Sequence, residues 1–127
     1  MNRFNRPELV TRSKTIDRGA ILRYAEITDD FNPIHVDPDF AATTPMRGII
    51  AHGMLSLNLV WQALKATYGA AAVEAAKLEV RFVRPVREND TVTASGRLSA
   101  ANDGTYEVAV INQDGAPVIT GTLTLST

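Results

Sequence analysis

The chain has 127 residues, of which 45% are hydrophobic and 21% charged, and its formal net charge at pH 7 is -1. This balance is typical of a folded globular protein rather than a disordered or fibrous one. The sequence has no cluster of Lys or Arg, which argues against a surface that binds nucleic acid or an anionic membrane.

The sequence contains no cysteine, which excludes a disulfide frame, a thiolate nucleophile and a cysteine-based zinc site. No stretch approaches the roughly 18 apolar residues of a membrane span, and the first ten residues lack the apolar core of a signal peptide. We therefore expect a cytoplasmic protein. A chain of this length predicts a single domain, 1–127.

The first element is a short strand or an irregular arm at residues 8–16. A helix is predicted at 18–28, because apolar residues recur there at helical spacing and Asp17 is a suitable N-cap. This helix cannot continue past Asn32, since Pro33 disfavours the helical conformation of the residue before it.

A second, short helix is predicted to begin at Asp37-Pro38. Aspartate is a good cap, and proline is tolerated at the first helical position because its missing N–H has no helical partner there. Residues 42–52 then form a loop.

Residues 53–68 read GMLSLNLVWQALKATY and predict a helix of about 24 Å at 1.5 Å per residue, ended by Gly69. Its apolar residues surround nearly the whole circumference: Met54, Leu55, Leu57, Leu59, Val60, Trp61, Ala63 and Leu64. A helix that is apolar on all sides is usually buried on all sides, so we expect the rest of the chain to wrap around it.

Residues 77–83 alternate apolar and charged side chains, as a strand does. Three further strand-like segments follow, TVTASGRLSA, TYEVAVIN and APVITGTLTLS, joined by the turns Asn102-Asp103-Gly104 and Asp114-Gly115. Such turns favour an antiparallel meander. The pattern predicts an α+β hot-dog fold, in which a curved antiparallel sheet wraps around one long buried helix.

The stretch TDDFNPIHVDPDFA, residues 28–41, is unusually rich in groups that can transfer protons. Asp30 lies just beyond the first helix, and His35 follows a turn stiffened by Asn32 and Pro33. A carboxylate and an imidazole that converge on one water form a general acid/base pair. Histidine suits this role because its ordinary pKa lies near physiological pH.

Two other interpretations of this stretch stay open. In the first, His35 is an ordinary hydrogen-bonded residue and the aspartates are helix caps and solvated charges. In the second, the stretch binds a metal, although it has no EF-hand glycine and a zinc site would need further nitrogen or sulfur ligands. The potential ligands would be Asp30, Asn32, His35, Asp37 and Asp39.

The segment AHGM, residues 51–54, lies where the long helix begins. A helix N-terminus offers free N–H groups and the positive end of the dipole. The N–H of Gly53 is therefore a candidate donor to a substrate oxyanion. Alternatively, Gly53 permits tight packing of helix on sheet. For His52 we favour a buried, hydrogen-bonded structural role.

Residues 24–41 together with IIAHGM resemble the MaoC-like dehydratases, especially the (R)-specific enoyl-CoA hydratases. Their motif has an aromatic residue, an aliphatic residue, Gly-Asp-x-Asn-Pro-aliphatic-His and a later alanine. FVRPV, residues 82–86, also resembles the family. The motif positions are occupied by Tyr24, Ile27, Thr28, Asp30, Asn32, Pro33, Ile34, His35 and Ala41.

The resemblance implies a homodimer or higher homo-oligomer that adds water reversibly to a trans-2-enoyl-CoA to give an (R)-3-hydroxyacyl-CoA. Asp30 and His35 would be catalytic, and the N–H of Gly53 would hold the thioester oxygen. Asn32 and Pro33 would shape the site. It implies no metal and no cofactor beyond the CoA of the substrate.

The sequence departs from the family pattern at two positions. Asp29 stands where the motif has glycine, and Trp61 stands where a serine is expected, so that an indole would shorten the acyl pocket. Together with Phe40 and Met54, Trp61 is predicted to line that pocket. A hot-dog thioesterase and a non-catalytic acyl-thioester-binding protein are the alternative functions.

Overall fold

A computed structural model, which describes residues 4–100 and 104–125, has one antiparallel sheet packed against a long helix. The strands are β1 (Arg12–Ile16), β2 (Ala76–Phe82), β3 (Asp90–Leu98), β4 (Thr105–Ile111) and β5 (Pro117–Leu125). The helices are α1 (Arg18–Thr28), α2 (Pro33–Val36), α3 (Pro38–Ala42), α4 (Gly53–Tyr68) and α5 (Ala70–Glu74).

The sheet has the strand order β1-β3-β4-β5-β2, and all its neighbouring strands are antiparallel. The predicted meander is therefore confirmed as β3-β4-β5. In the turn before β5, the side chain of Asn112 accepts bonds from the N–H groups of Asp114 and Ala116, and Gly115 has a left-handed backbone (φ 77°). In the other predicted turn, Asn102-Asp103 lies outside the described residues.

The two edge strands come from different parts of the chain. β2 pairs with β5, and β1 pairs with β3. Before β1, the N–H of Leu9 donates to the carbonyl of Gly96 at 3.0 Å, and Glu8 forms an isolated bridge with Arg97. Residues 8–16 are thus both an arm and a strand, which reconciles the two predictions for this segment.

The helix α4 packs across the sheet and contacts β1, β3 and β4. It buries one broad face, and the sheet contributes apolar residues that alternate with exposed ones along each strand. This arrangement confirms the predicted hot-dog fold. The buried apolar residues include Leu57, Leu59, Val60, Ala63 and Leu64 of the helix and Val92, Ala94, Val108, Val110, Val118 and Leu123 of the sheet.

The prediction that α4 is buried on all sides is wrong for the isolated chain. Met54 is 46% exposed, and Leu55 and Trp61 are only partly buried. A single five-stranded sheet covers one side of a helix, so the opposite side keeps its apolar residues near the surface.

The predicted caps are confirmed. Asp17 Oδ1 accepts from the N–H of Ala20 at 2.8 Å, and Asp37 Oδ1 accepts from Asp39 and Phe40 at the start of α3. The single-turn helices α2 and α5 were not predicted, because four or five residues are too few to display a helical period.

Within the described ranges, no helix is both long and apolar enough to cross a membrane. The single domain 1–127 stays a prediction.

Candidate active site

The polar stretch begins where α1 ends. Asp29 has a left-handed backbone (φ 55°, ψ 35°), and its N–H donates to the carbonyl of Ala25. The N–H of Asp30 donates to the same carbonyl at 3.0 Å, and Asp30 Oδ1 accepts from the N–H of Asn32 at 3.3 Å. These bonds place the exposed side chain of Asp30 just beyond the helix.

Asn32 and Pro33 form the start of α2. Asn32 Oδ1 accepts from the N–H of Ile34 at 3.2 Å, and Pro33 takes the first helical position. His35 lies in the single turn that follows, and its N–H donates to the carbonyl of Asn32 at 2.9 Å. The Asn-Pro pair predicted as a turn is thus a helix cap, and it sets the direction of His35.

The ring of His35 is partly buried and held by one short hydrogen bond. Its Nδ1 lies 2.7 Å from the carbonyl oxygen of Ile50. Because a carbonyl only accepts, Nδ1 carries the proton, and Nε2 of the neutral ring keeps a free lone pair. An imidazole in this tautomer can accept a proton at Nε2.

His52 joins Asp30 and His35 although it comes from the start of α4. Its Nε2 lies 2.9 Å from the carbonyl oxygen of Asp30, and its ring stacks on His35 with centroids 3.9 Å apart and planes at 27°. The side chain is 4% exposed. The prediction of a buried, hydrogen-bonded His52 is therefore confirmed.

Ligand-type atoms of Asp30, His35 and His52 all lie within 4.8 Å of one another, which is a composition that can bind a metal. However, the two imidazoles stack face to face with centroids 3.9 Å apart, whereas zinc ligands are usually arranged tetrahedrally around the ion. The side-chain oxygens of Asn32 and Asp37 are already helix caps. The arrangement suits proton transfer better than metal binding.

A cavity of about 570 Å³ opens beside these groups. Both His35 and Gly53 line it, so the imidazole and the N-terminus of α4 face the same space. The rest of the wall is mainly apolar and includes Met46, Ile50, Met54, Val86, Val118 and Ile119. Such a space can take the apolar chain of a ligand whose reacting group lies at the polar end.

Gly53 is the first residue of α4, where helical N–H groups lack a partner within the helix. A Cβ at this position would lie 2.8 Å from Cε1 of Phe82, so the ring of Phe82 packs directly on the glycine. Phe82 itself is 54% exposed and lines the cavity. Tight packing against Phe82 therefore gives Gly53 a structural reason to lack a side chain.

Of the three residues predicted to form the acyl pocket, Met54 lines this cavity, whereas Phe40 and Trp61 do not. Phe40 is 46% exposed on α3, and Trp61 packs partly buried against the core. Trp61 lies about 12 Å further along the helix axis than Gly53, at 1.5 Å per residue. This distance places its indole away from the cavity.

Most of the cavity wall was not predicted, and Ser56 and Phe82 are two examples. Ser56 is fully buried one turn after Gly53, and its Oγ has no hydrogen-bond partner among the described residues. The signal for Ser56 was a lone hydroxyl on an apolar helix face. Phe82 had no separate signal, because it fits the ordinary alternation of β2.

Residues 2–126 match the protein-family model described as the MaoC like domain. Among curated relatives, the chain is 32% identical over 113 residues to the (R)-specific enoyl-CoA hydratase of Aeromonas caviae, covering 86% of this chain and 84% of that protein. It is 37% identical over 83 residues to the (R)-specific enoyl-CoA hydratase of Rhodospirillum rubrum, covering 65% of this chain and 58% of that protein.

Solved structures agree in fold. The (R)-hydratase from A. caviae superimposes with a TM-score of 0.77 at 29% identity, over 94% of each chain. An R-hydratase from Pseudomonas aeruginosa superimposes with a TM-score of 0.74 at 27% identity, covering 93% of this chain and 79% of that one.

Proposed function

Because the chain belongs to the MaoC-like domain family, we propose that it adds water reversibly to a trans-2-enoyl-CoA to give an (R)-3-hydroxyacyl-CoA. Relatives named as (R)-specific enoyl-CoA hydratases, which match most of the chain, support this reaction class. The substrate carries the CoA, and the proposal involves no other cofactor.

The observation that carries the proposal is the placement of His35. Its Nδ1–H is committed to the carbonyl of Ile50, so Nε2 is free at the edge of an apolar cavity. Asp30 contributes a carboxylate to the same cluster, within 4.8 Å. A proton acceptor beside a space for an acyl chain is what hydration of an enoyl thioester requires.

In the proposed reaction, a water held between Asp30 and His35 attacks C3 of the enoyl thioester. The water loses a proton to one member of the pair, and the pair returns a proton to C2. The C=C π bond is replaced by one C–O and one C–H bond, so the sum of the steps is the addition of water. Dehydration follows the same steps in reverse.

Negative charge develops on the thioester oxygen when water attacks C3. The N–H of Gly53 is proposed to donate to that oxygen, since it stands at the positive end of the α4 dipole. One donor of this kind contributes about 2.7–4 kcal/mol to transition-state stabilisation in other enzymes.

A homodimer stays part of the proposal. Large apolar side chains remain exposed around the site on the isolated chain, among them Phe31 at 50%, Met54 at 46%, Phe82 at 54% and Val83 at 50%. A second copy that covered them would bury apolar area and narrow the route of water to the site.

Replacing either member of the pair tests the reaction. We expect Asp30→Asn and His35→Gln each to lower the rate of crotonyl-CoA hydration by about a hundredfold or more, because general acid/base catalysis contributes about 10²–10⁴-fold. Both variants should keep the far-UV circular dichroism of the wild type. As a matched control, Asp39→Asn changes an exposed carboxylate on α3 and should leave the rate unchanged.

The same assay separates hydration from the alternatives. Loss of enoyl absorbance without release of free thiol is the expected result, whereas thiol release would indicate a thioesterase. Binding of the substrate without either change would indicate a non-catalytic acyl-thioester-binding protein. Near-normal hydration by both site variants would contradict the roles of Asp30 and His35.

A further inference from the structure

We propose that His52 is a positioning residue that fixes both Asp30 and His35 in their reactive geometry. The inference rests on the proposed function and adds to it a residue that the motif carrying Asp30 and His35 does not include. His52 is the N-cap residue of α4, yet its side chain makes no capping hydrogen bond. Histidine is not among the residues preferred at this position. Its side chain instead reaches back to the other two groups.

The first contact tethers the backbone of Asp30. His52 Nε2–H donates to the carbonyl of Asp30 at 2.9 Å. Asp30 follows the left-handed residue Asp29 and lies between α1 and α2, where its N–H donates to the carbonyl of Ala25 and its own carbonyl accepts from His52. A buried donor from α4 therefore restricts the carboxylate that is proposed to hold the water.

The second contact fixes the plane of His35. The two imidazoles stack 3.9 Å apart, and the edge of the Tyr24 ring contacts His52 with centroids 5.0 Å apart at 62°. His35 is thus held at its Nδ1 by Ile50 and on its face by His52. Its Nε2 can then point in only one direction, and reactions of this kind lose about a hundredfold when a group is misplaced by about 1 Å.

The hydrogen bonding also assigns the tautomers. Since a carbonyl can only accept, His52 carries its proton on Nε2, while its buried Nδ1 has no partner among the described residues. A second proton on Nδ1 would bury an N–H without an acceptor. The proton accepted from water is therefore assigned to His35 or Asp30, and His52 acts only as a support.

Two substitutions separate the two contacts. His52→Phe keeps a ring for stacking but removes the donor to Asp30, whereas His52→Gln keeps an N–H donor near the position of Nε2 but removes the stacked ring. We expect each to lower kcat by about tenfold or more. KM should change by less than about twofold, because His52 is not part of the cavity wall. In neither variant should kcat fall as far as it is expected to fall in Asp30→Asn.

A buried substitution can also act by unfolding, so the rates are taken per folded molecule. Tyr68→Phe is the control, since it removes a hydroxyl from a partly buried hydrogen-bonded pair at the far end of α4. It should lower stability by a similar amount and leave kcat per folded molecule unchanged. If both His52 variants also kept the wild-type kcat per folded molecule while Asp30→Asn was inactive, the positioning role would be wrong and the proposed function would stand.

A measurement independent of turnover completes the test. The chain has two histidines, so long-range ¹H–¹⁵N spectra contain only the imidazoles of the site. We expect an Nε2–H tautomer for His52 and an Nδ1–H tautomer for His35, and a shift of the His35 signals in both His52 variants. An Nδ1–H tautomer at His52 would overturn the tether. A wild type that shows these tautomers but does not hydrate enoyl-CoA would instead overturn the proposed function and, with it, the catalytic part of this inference.

Discussion

Asp29 is explained by its backbone rather than by its charge. The residue has φ 55° and ends α1 by donating its N–H to Ala25, the position at which helices commonly have glycine. Aspartate is one of the few other residues that tolerate this conformation. Its side chain is exposed. The departure from the family motif is therefore a change at a helix end, outside the proposed chemistry.

We expect Asp29→Gly to raise the free energy of unfolding by about 1 kcal/mol. The change removes the left-handed strain of a residue with a Cβ and a negative charge at the negative end of the helix dipole. Urea unfolding monitored by circular dichroism measures this change in the free energy of unfolding. Asp29→Ala removes the charge but keeps the strain, so it should not stabilise the protein. An equal gain in stability in both variants would mean that removal of the charge alone causes the effect.

Part of the geometry of the candidate site could be predicted from the sequence at this scale. Asp30 and His35 are close in sequence, and the rigid Asn32-Pro33 pair between them allowed their convergence to be predicted. His52 was predicted to be buried, but its contacts with Asp30 and His35 depend on how α4 packs against the loop. Local sequence patterns carry little information about such long-range packing, which is also why Phe82 and Ser56 were missed.

At the scale of elements, the long helix was predicted with its bounds because glycine is a common residue at a helix end. In the structure Gly69 does end the helix, with a positive φ of 89°. The strand predicted at 77–83 is Ala76–Phe82, one residue earlier at each end. What no local pattern revealed is the sheet order, in which β2 lies beside β5. Alternation gives the two faces of a strand but does not identify its neighbours.

The pairing of β2 with β5 depends on a glycine. Gly121 lies opposite Val80 of β2, and a Cβ on Gly121 would lie 2.0 Å from the backbone oxygen of Glu79. Because the clash is with main chain rather than with a flexible side chain, the two strands would have to move apart. The pairing leaves no room for any side chain at this position.

We expect Gly121→Ala to lower the free energy of unfolding by about 3 kcal/mol, at the upper end of the usual cost of overpacking. Urea unfolding followed by the fluorescence of Trp61 gives the value. Thr122→Ala, at the next position and exposed, should stay within about 0.5 kcal/mol of the wild type. A similar small change for Gly121→Ala would mean that the strands separate there at little cost.

At the scale of the whole molecule, one hydrogen-bonded group joins the beginning of the chain to the sheet. The hydroxyl of Tyr106 in β4 donates to the carbonyl of Arg6 at 2.6 Å, 100 residues away in sequence, and is also bonded to the hydroxyl of Tyr68 in α4. The N–H of Arg6 donates to Tyr68 at 2.9 Å. The group links the arm, the helix and the sheet.

This group makes stability depend on pH in the alkaline range. Burial, followed by the hydrogen bond with Tyr68, raises the pKa of Tyr106 far above its ordinary value of 10.0, while the charge of Arg6 acts in the opposite direction. The folded protein therefore keeps the phenolic proton at a pH where the unfolded chain releases it. The resulting contribution of Tyr106 to the free energy of unfolding is complete below about pH 10 and is lost as the pH rises further.

Above about pH 10, we expect the free energy of unfolding to fall with pH more steeply for the wild type than for Tyr106→Phe. The two slopes should differ by up to about 1.4 kcal/mol per pH unit. At neutral pH the variant should be less stable by about 1 kcal/mol, because it removes two partly buried hydrogen bonds of the Tyr106 hydroxyl. Urea unfolding of both proteins at a series of pH values tests this. Parallel pH curves would show that Tyr106 does not titrate differently in the folded state.

The position of α4 in the chain has a consequence for how the protein is made. The helix ends at Tyr68, whereas the last strand of the sheet that covers it ends at Leu125. At about 5–20 residues per second, a ribosome needs several seconds to synthesise the intervening segment. Throughout that interval the most apolar segment of the nascent chain has no sheet to pack against. Binding by a chaperone during synthesis would protect α4 until the meander emerges.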